Sequence, residues 1–333
     1  MAVHIPVGLR ARGPAPATPT RRPGSVRRTA TIDMRWPGGP GTALQLTGRA
    51  RDLLTPLDAE SVVLAEDSMH VELDRRTRTI AQIASDPPRP GIEAMVGARG
   101  GGKFRGVLAT ALPQEAAAGS PLYLLLDDIA GATLISGFAQ TQWMDRELLM
   151  DVLQKMPRRD MTGVCTGFQP GSDAMFADGS SKITDKVRVV DPLPLPDDPV
   201  AWHAVEEITE VSMRRARRID VFESDVVEID SMFQDSATTP DGGRVAVHEY
   251  RVTATADPVS GELLRIEADP RVLPYDECPL ASLTVDKVVG TSLRDLRTVV
   301  LEQFQGTAGC THLNDAMRAL AEVPVLLRAL RDG

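Results

Sequence analysis

At 333 residues and 42% hydrophobic side chains, the chain has room for two ordinary domains and enough apolar material for real cores; with aromatics at only 4%, those cores rest on Leu, Val, Ile, Ala and Met. A formal net charge of −9 speaks against a dedicated nucleic-acid or anionic-membrane surface, and no run approaches the ~18 apolar residues of a membrane span. Three cysteines, an odd number, make no disulfide framework and fit a reducing cytoplasm.

Residues 1–28 hold six arginines, five prolines and no acid, and read as a disordered basic leader without the apolar core of a signal peptide. A first module spans 29–140. Strands are expected over 29–36, 43–50, 61–65, 69–74 and 79–85. Asp86-Pro87-Pro88-Arg89-Pro90 ends this meander, because consecutive prolines cannot feed a sheet ladder. Helical stretches follow near 91–97 and 104–117. Residues 141–210 form a connecting region. Met144–Met156 reads as a helix with Leu148, Leu149, Val152 and Met156 on one side, stopped by Pro157; Asp191–Pro199 reads as an extended Pro/Asp linker.

The second module spans 211–333. Strands are expected at Ile219–Phe222, Val226–Phe233, Arg244–Ala256 and Leu263–Ala268, with a turn over Asp257–Gly261. Ser292–Phe304 is amphipathic at helical spacing, with Leu293, Leu296, Val300 and Phe304 on one face. Thr311–Val323 forms another helix, and Pro324 permits a fresh start through Leu330. Each module is a sheet followed by helices. The expected fold class is therefore α+β: two pseudo-repeated antiparallel-sheet-plus-helix modules packed face to face.

The repeat is read directly from the residues. Arg27-Arg28, Ile32 and Asp33 match Arg214-Arg215, Ile219 and Asp220. Asp74, Ile80, Ile83, Asp86 and Pro87 match Asp257, Leu263, Ile266, Asp269 and Pro270, and Val96-Gly97 matches Val289-Gly290. Gly309-Cys310-Thr311-His312-Leu313 then falls opposite Gly119-Ser120-Pro121-Leu122-Tyr123. Only the second copy carries the cysteines and the histidine, so the expectation is one working site and one degenerate half that walls it off.

The candidate site is Cys310, His312, Cys278 and His248. Cys310 stands at the mouth of the helix 311–323, where free N–H groups and the macrodipole would lower a thiol pKa. His312 is the candidate acid/base, and Tyr275 or Asp269 a further proton or hydrogen-bond donor. Sulfur and imidazole suit zinc or iron, but the spacing is not that of a zinc finger, so structural, metal-free and metal readings stay open. Arg214, Arg215, Arg217 and Arg218 form a dense basic cluster that could clamp a carboxylate, phosphate or coenzyme A group; the bland alternative is a solvated strand entrance paired with Glu206, Glu207 and Glu210. Gly97–Lys103 imitates a phosphate loop, yet Phe104 replaces the magnesium-binding Ser/Thr. Gly163-Val-Cys165-Thr-Gly167 imitates a nucleophile elbow without its strand and helix, so a turn with a half-buried cysteine is expected. His4, His70 and His203 are assigned no chemistry.

Gly309-Cys310-Thr311-His312-Leu313, with Asp269-Pro270, Pro274-Tyr275 and Cys278-Pro279 upstream, resembles the bacterial domain-of-unknown-function family 2889. That family ends in a Gly-Cys-Thr-His-Leu signature, with an earlier cysteine after a Pro-Tyr segment and an earlier strand histidine that His248 matches. The resemblance covers roughly 211–325, and the whole chain is similar to the longer actinobacterial form. It implies a coherent fold and no settled activity. The function expected from the residues is a cytoplasmic, non-redox small-molecule enzyme of hydrolase, lyase or isomerase type acting on an acyl or aromatic metabolite. The alternative is a non-catalytic ligand-binding or accessory protein whose Cys/His cluster is structural. A small-molecule ligand is the expected partner, with no nucleic acid and no membrane; homo-oligomerisation stays open.

Overall fold

The computed structural model describes residues 3–39, 41–74, 76–155 and 159–333. Its strands are β1 (Ser25–Arg35), β2 (Leu44–Thr55), β3 (Val62–Leu73), β4 (Ile80–Asp86), β5 (Arg188–Val190), β6 (Ser212–Glu223), β7 (Val227–Thr238), β8 (Arg244–Ala256) and β9 (Leu263–Val272). They form one antiparallel sheet in the order β4-β3-β2-β1-β6-β7-β8-β5, with β9 also pairing β8. Two consecutive meanders, β1–β4 and β6–β9, thus join edge to edge through β1 and β6, in register from Ser25↔Phe222 to Arg35↔Ser212. This corrects the face-to-face packing expected from the sequence. Joining central edges removes two exposed ladders that separate sheets would leave open.

The helices are α1 (Phe104–Ala111), α2 (Pro113–Ala118), α3 (Pro121–Ile135), α4 (Phe138–Trp143), α5 (Arg146–Lys155), α6 (Leu296–Gln303), α7 (Thr311–Ala319) and α8 (Val323–Asp332). The architecture is α+β. Helix α3 is buried on all sides over Pro121–Thr133, as its apolar sequence requires; Ser120 caps it by accepting from Tyr123 N, and Pro121 occupies the first turn. It lies across β1, β2 and β3, while α7 lies on β7 and β8 and α8 across β1 and β6. All three pack on the same face of the sheet.

The opposite face is covered by irregular chain. The leader expected to be disordered is packed here from Arg12 on: Arg12 N and Gly13 N donate to Pro270 O and Arg271 O, Ala15 N donates to Glu249, and Arg21 pairs with Asp198. Residues 25–28 belong to β1 itself. The Pro/Asp linker joins the leader, with Thr18 donating to Leu193 O and accepting from the Trp202 indole.

Several local readings shift. The two short strands expected over 61–74 are the single strand β3, and the helix expected over 104–117 breaks at Leu112-Pro113. In the connecting region Leu149 is buried and Leu148 exposed, so the inward face is turned from the expected one; Met156 and Pro157 lie outside the described residues.

Matching irregularities occur in the two meanders. The register shifts after Asp52 and after Asp235, with the extra residue on β3 (Leu64) and on β8 (Val247); it shifts again after Glu72 and after Thr255, with the extra residue on β4 (Ala81) and on β9 (Leu264). Asp74 closes the β3–β4 turn by accepting from the backbone N–H of Arg76 and Thr77, and Asp257 closes β8–β9 by accepting from Val259 and Ser260. Among the described residues no helix is long and apolar enough to cross a membrane.

Candidate functional site

Strand alternation decides what the arginines of β6 do. Arg214 and Arg218 point to the leader-covered face, where Arg214 pairs with Asp33 and Arg218 with Asp220 and Asp230. Arg215 and Arg217 point to the helical face, pairing with Asp235, Asp128 and Asp315. All four are buried. The sequence reading of one basic clamp, and the alternative of a solvated strand entrance, both give way to four buried guanidiniums split between the two faces and each paired with carboxylates; only Arg214 reaches the linker acids, through the Glu206 carbonyl.

On the helical face the ion pairs join into one network. Arg28, Arg105, Arg215, Arg217, Arg297 and Arg318 face Asp52, Asp127, Asp128, Asp235, Asp315 and Glu322, six cations against six carboxylates. Such balance is what makes burial of charge tolerable, since an unpaired buried ion costs several kcal/mol. Burial opposes the charge of Asp127, yet Arg318, Arg297 and Arg105 hold its pKa below the usual carboxylate value. Burial likewise opposes Arg215, and Asp235, Asp128 and Asp315 raise it regardless.

At one end of this network lies the histidine pair. Asp235 on β7 stands directly opposite His248 on β8, and His312 enters from the first turn of α7. The two imidazoles stack with centroids 3.5 Å apart and planes 15° from parallel. His312 Nε2 lies 3.6 Å and His248 Nδ1 3.9 Å from the same oxygen, Asp235 Oδ2. Both distances exceed a hydrogen bond, and both nitrogens are buried without a hydrogen-bond partner among the described residues. Arg215 holds Asp235 in a two-pronged grip, Nε to Oδ1 at 2.9 Å and Nη2 to Oδ2 at 3.0 Å. Burial, then the neighbouring His312, lowers the His248 pKa well below its ordinary value; burial, then Arg215 and Arg217, does the same for His312. Both rings are therefore neutral near pH 7, the form that ligates metals and accepts protons.

The cysteines collect beside this pair. Cys310 caps α7 and Cys278 opens the helical turns after β9; both are buried. Cys165, read from sequence as an isolated turn residue, joins them: a side chain on Gly167 would meet Cys278 Sγ at 2.8 Å and Cys165 Sγ at 3.8 Å, so the turn closes over the thiols only because residue 167 is glycine. The turn is pinned by Thr166, whose N–H and hydroxyl donate to Gly309 O just before Cys310. The lowered Cys310 pKa expected at a helix mouth is not found. Burial raises it, outweighing the N–H groups of Leu313 and His312. Burial also raises Cys278 well above its ordinary value and pushes Cys165 up to about 12. The thiols are protonated.

Tyr275 and Asp269 do not join the histidines. The Tyr275 hydroxyl donates to Lys182 O, and its ring packs on Phe168 beside the cysteine turn. Asp269 lies on β9 opposite Arg251 and pairs with Arg271 and Arg12 on the leader-covered face. Two buried residues that sequence reading missed take their places. Asp235 carries the histidines, and Tyr250, on the same face of β8 as His248, sets its fully buried hydroxyl toward Cys310, with burial first raising its pKa. Period-two spacing from His248 could have pointed to Tyr250. Asp235 could have been found as an acid alternating with apolar residues in a central strand.

Residues 213–326, from β6 into α8, match the family model described as "Protein of unknown function (DUF2889)". The match contains every member of the His/Cys/Asp cluster except Cys165. No curated protein and no solved structure matches the chain.

Proposed function

We propose that the protein is a cytoplasmic, non-redox small-molecule enzyme of hydrolase, lyase or isomerase type, acting on an acyl or aromatic metabolite at the His/Cys cluster of its C-terminal half. One observation carries this reading. All three cysteines and two of the five histidines, drawn from separated segments, collect around the N-terminus of α7, next to Asp235 and Tyr250. In this reading neutral His312 takes a proton from the substrate, and Asp235, 3.6 Å from Nε2, steadies the imidazolium that forms. Protonated Cys310 and Tyr250 serve as hydrogen-bond donors. A cleft bordered by Thr166, Gln169, Ala281, Lys287, Thr307 and Ala308 lies beside the cysteine turn and is the candidate way in.

A second reading, a binding or accessory protein with a structural cluster, is favoured by the same burial that keeps the thiols protonated and the imidazoles uncharged. A thermal-shift screen of acyl thioesters and aromatic acids, with turnover of each hit followed by NMR, separates the two. Turnover lost in a folded His312→Gln variant supports the enzyme. A ligand bound equally by both forms and left unchanged supports the accessory protein.

A further inference from the structure

The site holds more unsatisfied donor capacity than acid–base chemistry requires. Three potential ligand atoms, one each from Asp235, His248 and His312, lie within 4.8 Å of one another in the protein interior. Two of them are ring nitrogens buried without a hydrogen bond. An orphaned buried donor or acceptor costs about 1–3 kcal/mol, and others occur in this protein, such as Arg51 Nε and Glu277 Oε2, but scattered. Here two converge on a single carboxylate oxygen.

We propose that Asp235, His248 and His312 hold a divalent first-row metal ion, zinc or iron(II). This rests on the proposed enzyme reading only for the ion's use, not for its binding; with Nε2 of His312 taken up as a ligand, the base of that reading would be a metal-bound hydroxide instead of His312. The geometry supports the assignment. In a tetrahedral site with bonds of about 2.0 Å, neighbouring ligand atoms sit about 3.3 Å apart. The observed separations from Asp235 Oδ2, 3.6 Å and 3.9 Å, are too long for hydrogen bonds and close to that ligand spacing; because an ion lies in the plane of each imidazole it binds, the stacked rings have to swing out of parallel to share it. Two imidazoles and one carboxylate leave coordination positions open, the arrangement of catalytic rather than structural sites. Arg215 fits as the outer partner that fixes the carboxylate's orientation.

Charge then constrains what completes the site. The buried network is balanced, six arginines against six carboxylates, so the ion brings two uncompensated positive charges. A single anionic ligand, either hydroxide or a carboxylate of the substrate, offsets one of them, and the two together offset both. The metal would thus polarise a bound acyl oxygen or lower the pKa of a bound water, which names an anionic acyl compound as the substrate class.

The test is direct binding to the full chain. Chelator-treated protein is titrated with Zn2+ and with Co2+, whose visible d–d absorption reports coordination. The expected result is one ion per chain, with affinity falling at least about 100-fold in His248→Ala, His312→Ala and Asp235→Asn, and unchanged in His70→Ala on the exposed part of β3. Circular dichroism and a denaturation curve show which variants fold. X-ray absorption of the wild-type complex gives a readout independent of variants: nitrogen and oxygen scatterers support the assignment, whereas sulfur scatterers move the ion to the cysteines and overturn it. No stoichiometric binding, or binding retained within about tenfold in both folded histidine variants, also overturns it. Metal bound without turnover of any ligand would fell the enzyme reading and leave this one standing. Turnover insensitive to chelation would do the reverse.

Discussion

Arg28 and Asp52 offer a test of the buried ion network away from the histidines. Arg28 Nε and Nη2 each lie 2.6 Å from an Asp52 oxygen, and Nη1 lies 2.7 Å from Glu322; the three side chains are 1%, 8% and 1% exposed. Arg28→Met removes the positive charge and keeps much of the apolar stem. Glu322 retains Arg297, but Asp52 keeps no other ion pair among the described residues. One carboxylate is then buried without compensation, which costs about 3–5 kcal/mol. The Coulomb term agrees: at about 4 Å and an effective dielectric constant near 20 it is worth about 4 kcal/mol. Replacing both partners, Arg28→Met with Asp52→Leu, removes the orphaned charge and should recover about 2–3 kcal/mol of the loss. Chemical denaturation of the wild type, both single variants and the double variant closes the cycle. A single-variant cost below about 1 kcal/mol, or strictly additive costs, would refute the view that the network is desolvated and coupled.

Three further outcomes are expected. His203 on the leader-covered face is wedged between the Thr29 and Thr31 hydroxyls, and burial, then Arg51, pushes its pKa down to about 3. The folded state keeps it neutral while the unfolded chain protonates near pH 6.5, so its stabilisation is present above that pH and is lost as pH falls toward 3; between about pH 6.5 and 5.5 the advantage of wild type over His203→Gln in denaturation should shrink by about 1 kcal/mol, and a constant gap counts against this. Because burial keeps all three thiols protonated, native protein at about pH 8 should resist a disulfide exchange reagent that titrates three thiols after unfolding, and prompt native reaction would contradict the burial. Brief trypsin treatment should cut at exposed Arg12 and spare Arg21, whose side chain is 15% exposed and paired with Asp198; clean release of the segment through Arg21 from a folded body would restore the disordered leader.

Much of the fold was legible because it follows from local chemistry. Period-two patterning located the strands, Asp86-Pro87 ended β4 as expected whereas β9 runs on through Asp269-Pro270, and the apolar spacing of 292–304 located α6 behind a short turn, Leu293–Asp295, that Ser292 caps. What escaped was long-range. Nothing local says whether two meanders stack or join edges; that depends on the Arg27–Asp220 and Arg214–Asp33 pairs across β1–β6, visible only once the register is known. The leader's order has the same origin, since a Pro-rich segment with little core of its own is held by Glu249, Asp198 and Trp202, all far away in sequence. At the site, His248, His312, Cys278 and Cys310 stood out by residue type. Asp235 did not, because aspartates are common and its meaning comes from a cross-strand neighbour. The helix-mouth argument for a Cys310 thiolate failed because desolvation of a buried thiol outweighs a few N–H dipoles.

The contrast between the two meanders says why the histidines are the part to pursue. Arg28 grips Asp52 opposite a bulge in β3, and Arg215 grips Asp235 opposite a bulge in β8. Across the next strand, Asp52 faces Ala65 whereas Asp235 faces His248. An arginine–carboxylate pair at this position therefore satisfies the fold by itself, and alanine suffices beside it. The C-terminal half instead buries two imidazoles with unpaired nitrogens, at a cost of about 1–3 kcal/mol each. Packing has no use for that expense when alanine serves the same position elsewhere in the sheet. A bound ion or a reacting ligand removes it, because either supplies the missing partner at the point where His248, His312 and Asp235 converge.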